Sequence, residues 1–161
     1  MKIRKFMDRV SIVIPAHNEV KRIGKTLENY ISYFKNLKKN KKLDFEIIVV
    51  LNNCNDKTFD VVKKNKCKEL KILNFIQRGK GFAIIEGFKE ALKSDSNLIG
   101  FVDADMATLP ISFYDLIKNV NDADGIIANR WDERSIINPE QSTIRKITSS
   151  GNNIVIRSMF M

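Results

Sequence analysis

The feature that most constrains this chain is a rhythm. Short, unbroken apolar runs alternate with stretches in which apolar residues recur every third or fourth position. The runs are RVSIVIP, FEIIVVL, LKILNF, NLIGFVDAD and DGIIANR. A strand that is apolar on both faces must be covered on both faces, and parallel sheets flanked by helices meet that need. The intervening stretches supply the helices. EVKRIGKTLENYISYFKNL brings Val20, Ile23, Leu27, Tyr30, Ile31 and Phe34 to one side, and KTFDVVKKN reads as a short helix after the turn-rich NNCND. GFAIIEGFKEALKS sets Ala83, Ile84, Phe88, Ala91 and Leu92 on one side, and PISFYDLIKNV begins with Pro110, a residue suited to a first helical turn. The expected fold is a three-layer α/β domain with a mostly parallel sheet of five strands.

Such sheets bind ligands beyond the carboxyl ends of their strands. Here those ends read PAHNE, LNNCND, DADMAT and NRW, each of them polar, and together they predict one site.

The 161 residues suffice for one domain with a real core, and 43% hydrophobic residues exclude a disordered chain. No apolar run approaches the roughly 20 residues of a membrane-spanning helix. The start, MKIRKFMDRVSIVIP, is basic and then apolar like a leader, but it lacks a small-residue cleavage site and contains Pro15, so it reads as a strand of a cytoplasmic protein. The formal charge of +9 suits anionic partners, although runs such as KNLKKNKK read rather as a solvated surface. Aromatic residues are not interleaved with Lys and Arg in any RNA-binding pattern, so no nucleic-acid partner is expected. Cys54 and Cys67 form no CxxC pair and read as reduced thiols.

Asp103 and Asp105 close the fourth apolar run. Two carboxylates at a strand end can serve one hard cation, Mg²⁺ or Mn²⁺, which shares substrate phosphates as further ligands. An ordinary polar strand end explains the same pair. RGKGFAIIEGF lacks the G-x-x-x-x-G-K-[ST] of a P-loop, and it is no dinucleotide fingerprint, because position 84 is Ile. Arg78 and Lys80 precede a helix, where an anion is favoured. His17 is the single histidine, with no partner for a zinc site, and no nucleophile elbow is present.

These stretches, in this order, resemble the family 2 glycosyltransferases of GT-A fold. The stretches that match are SIVIPAHNE, FEIIVVLNNCNDKT, RGKGFAIIEGF, VDADMAT, NRW and RKITSSGNN, over nearly the whole chain. Within the family the chain is most similar to the dolichyl-phosphate and other polyprenyl-phosphate glucosyl- and mannosyltransferases. The resemblance implies a donor pocket around Pro15, Ala16, His17 and Glu19, with Val50 and Asn52 at the base. It gives Asp103, Ala104 and Asp105 to the ribose and the metal-bound diphosphate, makes Asp105 and Asp103 the catalytic and metal-binding pair, and adds Arg78 and Lys80 on the donor side. Arg130, Arg145 and Ser149 would grip the acceptor phosphate. The implied reaction is inverting, metal-dependent transfer of a hexose from a nucleotide diphosphate sugar to a polyprenyl phosphate, at the cytoplasmic face of a membrane. A saccharide hydroxyl acceptor, or a nucleotide-sugar-binding fragment without turnover, are the alternatives.

Three departures from the family pattern stand out. Leu51 and Asn52 occupy positions usually held by two Asp, and Ala107 stands where mannosyl members often have Gln, so DADMAT fits the glucosyl type better. The chain also stops where relatives continue, as a truncated chain would. The expected organisation is a single GT-A domain over 1–161, with a nucleotide-sugar core at 10–130. Residues 131–161 would form a mobile polar loop, DERSIINPEQS, and an acceptor-side segment. In that segment Ile144, Ile147, Ile154, Val155 and Met159 alternate with Arg145, Lys146 and Arg157. That pattern fits peripheral membrane contact, and it equally fits an ordinary packing helix.

Overall fold

The computed structural model describes residues 8–128. Two compact units are delimited, Met1–Asp122 and Ala123–Met161, and each is treated by itself.

The first unit runs β1 (Arg9–Ala16), α1 (Ile23–Lys39), β2 (Asp44–Asn52), α2 (Thr58–Lys64), β3 (Leu70–Phe75), α3 (Lys80–Ala91), β4 (Leu98–Phe101) and α4 (Pro110–Asn119). All strand pairs are parallel, in the order β3-β2-β1-β4. The expected α/β fold with a parallel sheet is what forms. The two central strands alternate strictly. Val10, Ile12, Ile14 and Ala16 of β1, with Phe45, Ile47, Val49 and Leu51 of β2, share one core with α1, Val62 of α2 and Phe113 of α4. Val13, Ile48 and Val50 face the other way, toward Ala83 and Ala91 of α3. Period-2 alternation thus splits a continuous apolar run between two helix layers.

Aromatic packing fixes α1 to the sheet and to α4. Phe34 is fully buried, its ring 5.6 Å from Phe45, 6.3 Å from Phe113 and 6.0 Å from Tyr30. Burial pushes the Tyr30 phenol well above its ordinary pKa.

Helix α3 corrects the expected buried side. Its buried stripe is Ala83, Gly87 and Ala91, whereas Leu92 is 73% exposed and Ile84 and Phe88 are half-buried. The cause is close approach. A Cβ on Gly87 would lie 2.3 Å from Val13 Cγ1 and 3.1 Å from Val50 Cγ2, so only small residues fit between helix and sheet.

β4 is shorter than the expected NLIGFVDAD run. It ends at Phe101, although Val102 N–H still donates to the Val13 carbonyl at 3.0 Å, and Asp103 to Asp105 follow as a turn outside the sheet. The fifth strand expected in DGIIANR does not form over 124–128, where two isoleucines between Gly125 and Ala128 make too short an apolar run; residues 129 and 130 lie outside the described residues. The segment expected over 131–161, with its loop and amphipathic pattern, also lies outside them. Among the described residues, no helix is long and apolar enough to cross a membrane.

Candidate functional site

The chain passes from β1 through α1 to β2 on one side and returns later to place β4 on the other side of β1. The strand order therefore reverses at β1, and the carboxyl ends of the strands flank a crevice there. A cavity of about 450 Å³ occupies it. Pro15, His17 and Glu19 reach it from the end of β1, Asn52 from β2, Arg78, Gly79 and Lys80 from the start of α3, and Asp103, Ala104 and Asp105 from the end of β4.

Nine of the residues expected at the donor and metal sites are thus brought together. Two others lie elsewhere. Val50 is fully buried in the core facing α3, and Ala16 is buried with its carbonyl accepting from Cys54 Sγ at 3.4 Å. Arg130, Arg145 and Ser149 lie outside the described residues.

Neighbouring elements hold the loops that line the cavity. His17 Nδ1 is 2.8 Å from the Asn52 carbonyl oxygen. A carbonyl only accepts, so Nδ1 is the donor in this contact. With its amide turned to satisfy both neighbours, Asn52 donates to the Ala16 carbonyl at 2.7 Å and accepts from Gly79 N–H at 3.3 Å; Asn53 likewise accepts from Arg78 Nε at 2.5 Å. Glu19 N–H donates to Thr58 Oγ1 at 2.8 Å, and Thr58 in turn donates through both its amide and its hydroxyl to Asp56. Burial pushes the Asp56 carboxyl up, but the hydrogen bonds from Thr58 and from Val20 N–H outweigh it and hold the group below the usual carboxylate range.

The loop carrying the aspartates is braced from α1. Thr26 Oγ1 donates to the Ala104 carbonyl at 2.7 Å, and Tyr30 OH donates to the Thr108 carbonyl at 2.9 Å. Between these struts Ala107 N–H donates to Asp105 Oδ1 at 3.0 Å, and Met106 adopts φ +63°. Neither strut was foreseen from the sequence. The available signal was a polar residue, Thr26, set within the apolar stripe of α1, since a buried hydroxyl needs a partner. Gly79 was also missed as a lining residue. Its φ of +127° is a conformation for which glycine is suited, and it opens α3.

The cavity carries both signs of charge: Asp103 and Asp105 from beyond β4, and Arg78 and Lys80 from the start of α3, with Lys80 Nζ 2.5 Å from Asp103 Oδ1. Glu19 is clamped by Arg22 through two hydrogen bonds of 2.6 and 2.8 Å, and that hydrogen-bonded carboxylate raises the Arg22 guanidinium above its ordinary pKa. Among the described residues no set of three His, Cys, Asp or Glu side chains is assembled around a metal position. Two aspartates, one of which has a single lone-pair site taken by Ala107 N–H, fit a hard cation that completes its shell with water and phosphate oxygens. They do not fit a closed zinc cage, which takes four protein ligands. A cation-bearing diphosphate matches both sets of charges.

Comparison with known proteins gives three findings. The model of the family described as Glycosyl transferase family 2 matches residues 11–157. A dolichyl-phosphate beta-glucosyltransferase of Trichomonas vaginalis is 33% identical over 159 residues, which cover 91% of this chain and 47% of the relative. The chain therefore spans about half the length of the curated relatives it matches. Among solved structures, Staphylococcus aureus TarS 1–349 superposes with a TM-score of 0.55 at 21% identity, covering 78% of this chain and 40% of that one. Glucosyl-3-phosphoglycerate synthase from Mycobacterium tuberculosis, in complex with Mn²⁺, uridine diphosphate and phosphoglyceric acid, gives 0.53 at 20% identity, covering 74% and 41%. These two likenesses establish the fold, which is that of GT-A glycosyltransferases.

Proposed function

The chain belongs to glycosyl transferase family 2, and from that premise we propose that it transfers a hexose, glucose first among candidates, from a nucleotide diphosphate sugar to a polyprenyl phosphate. The observation that carries the reading is the convergence of four strand and helix ends on one cavity holding His17, Glu19, Asn52, Arg78, Lys80, Asp103 and Asp105. The likeness to dolichyl-phosphate beta-glucosyltransferases supports the acceptor and the sugar.

In this reading Asp103 and Asp105 hold Mg²⁺ or Mn²⁺. A divalent cation, when bound, offsets the charge that builds on the leaving diphosphate. Arg78 and Lys80 meet the phosphates at the first turn of α3, where peptide N–H groups also favour anions. His17 Nε2 and the Asn52 peptide edge line the nucleoside end. Asn52 can both donate and accept, unlike the Asp common at this position, so it bears on which base is taken. Arg130 and Arg145, which can grip phosphate in bidentate fashion, and Ser149 are the acceptor-side residues.

A phosphate acceptor explains why a strong general base is not needed. A monoester has its second pKa near ~6 and is mostly dianionic at neutral pH. Direct in-line attack inverts the anomeric centre, in keeping with the beta linkage in the relatives' names. The acceptor's place in a bilayer makes the protein a peripheral membrane enzyme in this reading.

The test is transfer of radiolabelled sugar from UDP-glucose and GDP-mannose to dolichyl phosphate with Mn²⁺ or Mg²⁺. Labelled lipid phosphate is the expected product, and Asp105→Ala should reduce it by roughly 10²-fold or more. Unchanged transfer in Asp105→Ala removes the metal assignment. Labelled saccharide instead of lipid points to a hydroxyl acceptor, and metal-dependent nucleotide binding without product points to a donor-binding fragment. Arg145→Ala is expected to raise the KM for lipid phosphate while sparing donor affinity.

A further inference from the structure

We propose that Lys80 strengthens the coupling between the divalent cation and the diphosphate beyond what shared phosphate ligation gives, because its ammonium is held against the same Asp103 carboxylate that the cation uses. The inference rests on the donor-site reading above. Lys80 is the first residue of α3, and Gly79, at φ +127°, turns the chain into that helix. From there Lys80 Nζ lies 2.5 Å from Asp103 Oδ1.

Neither partner is deeply buried; the side chains are 59% and 36% exposed. An exposed pair of this kind is weakly held and exchanges partners readily. A cation arriving alone meets a carboxylate already neutralised, with a positive charge beside it. It must share the oxygen with the ammonium or displace it, and both options weaken binding. A diphosphate changes the balance, since it offers Lys80 a second anion and brings negative charge to the cation as well. Each ligand then raises the affinity for the other, and linkage makes the effect reciprocal.

Arg78 is arranged differently. Its Nε lies on the neutral amide of Asn53, so it attracts the diphosphate without opposing the cation. The two basic residues on either side of Gly79 therefore have separate roles: Arg78 adds affinity, and Lys80 adds coupling.

Calorimetric and electron-spin-resonance titration of the 161-residue chain with Mn²⁺, alone and with saturating UDP or GDP, tests this. Nucleotide should tighten Mn²⁺ binding about tenfold in the unaltered chain. Lys80→Met and Lys80→Gln should tighten bare Mn²⁺ binding and narrow that gap about threefold, leaving the part that phosphate ligation supplies, while Lys80→Arg keeps it. Lys80→Met with unchanged or weaker bare Mn²⁺ binding, or with an undiminished gap, overturns the coupling and leaves the donor site standing. If the unaltered chain binds neither Mn²⁺ nor nucleotide, the donor-site reading itself falls, and the coupling with it.

Discussion

Single residues do the work at the cavity because the backbone turns sharply at every strand end. Asn18, Asn53 and Met106 adopt φ of 55°, 55° and 63°, and Gly79 adopts 127°. Asn accepts the left-handed region with little strain, whereas the Gly79 conformation is open to few residues with a Cβ. Gly79→Ala is expected to cost about 1–3 kcal/mol of stability. It should also shift Arg78 and Lys80 away from the cavity, so denaturant melts and UDP–Mn²⁺ titration should both register it. At this scale the sequence was most informative. Pro15, His17, Glu19, Asn52 and Asp103 to Asp105 lie at or just beyond the ends of apolar runs, where parallel sheets bind ligands, whereas Arg78 and Lys80 were legible only as basic residues before a helix. Val50, expected from the family resemblance, shows the limit of that carry-over. It precedes the strand end by two positions, and the pleat turns its side chain to the α3 face.

The elements are braced by bonds between residues far apart in the chain, and those left almost no pattern in the sequence. Thr26 and Tyr30 are one helical turn apart and hold carbonyls 78 residues later. Thr26→Val keeps the shape but leaves the Ala104 carbonyl without its donor, an expected cost of about 1–3 kcal/mol. Mn²⁺ affinity should fall with it, because Asp103 and Asp105 flank Ala104; Thr26→Ser, which restores the hydroxyl, should recover that affinity. Helix existence was legible from periodicity, but the packed side of α3 was not. Periodicity reports where large apolar residues lie, and this helix seats itself on its smallest ones. Gly87→Ala is therefore expected to destabilise by about 1–3 kcal/mol, seen as a lowered urea midpoint, despite the higher helix propensity of Ala.

The whole molecule is tuned by its carboxylates. Burial pushes Asp44, Asp56 and Glu69 up, but Lys38 bonds Asp44 and Glu69, and Thr58 bonds Asp56, so all three lie below their ordinary pKa values. Lys71 and Lys93 do the same for Glu90. A carboxylate depressed in the folded state contributes stability that is present above its unfolded pKa and lost as pH falls through its folded value. Stability should hold at neutral pH and decline below about pH 4, where the unfolded chain binds more protons. Asp56→Asn should flatten that decline in urea melts taken across pH. Sheet order was not legible beyond the expectation of parallel strands, because which strand neighbours which is decided by crossover geometry rather than by any run of residues.

The two struts from α1 carry one more consequence. A loop fastened at Ala104 and Thr108, with Ala107 N–H engaged between them, loses its conformational freedom when the chain folds. A ligand entering the cavity would then find Asp103 and Asp105 already ordered. Backbone amides between the struts should exchange slowly with deuterated solvent before any ligand is added, and nucleotide should slow them little further.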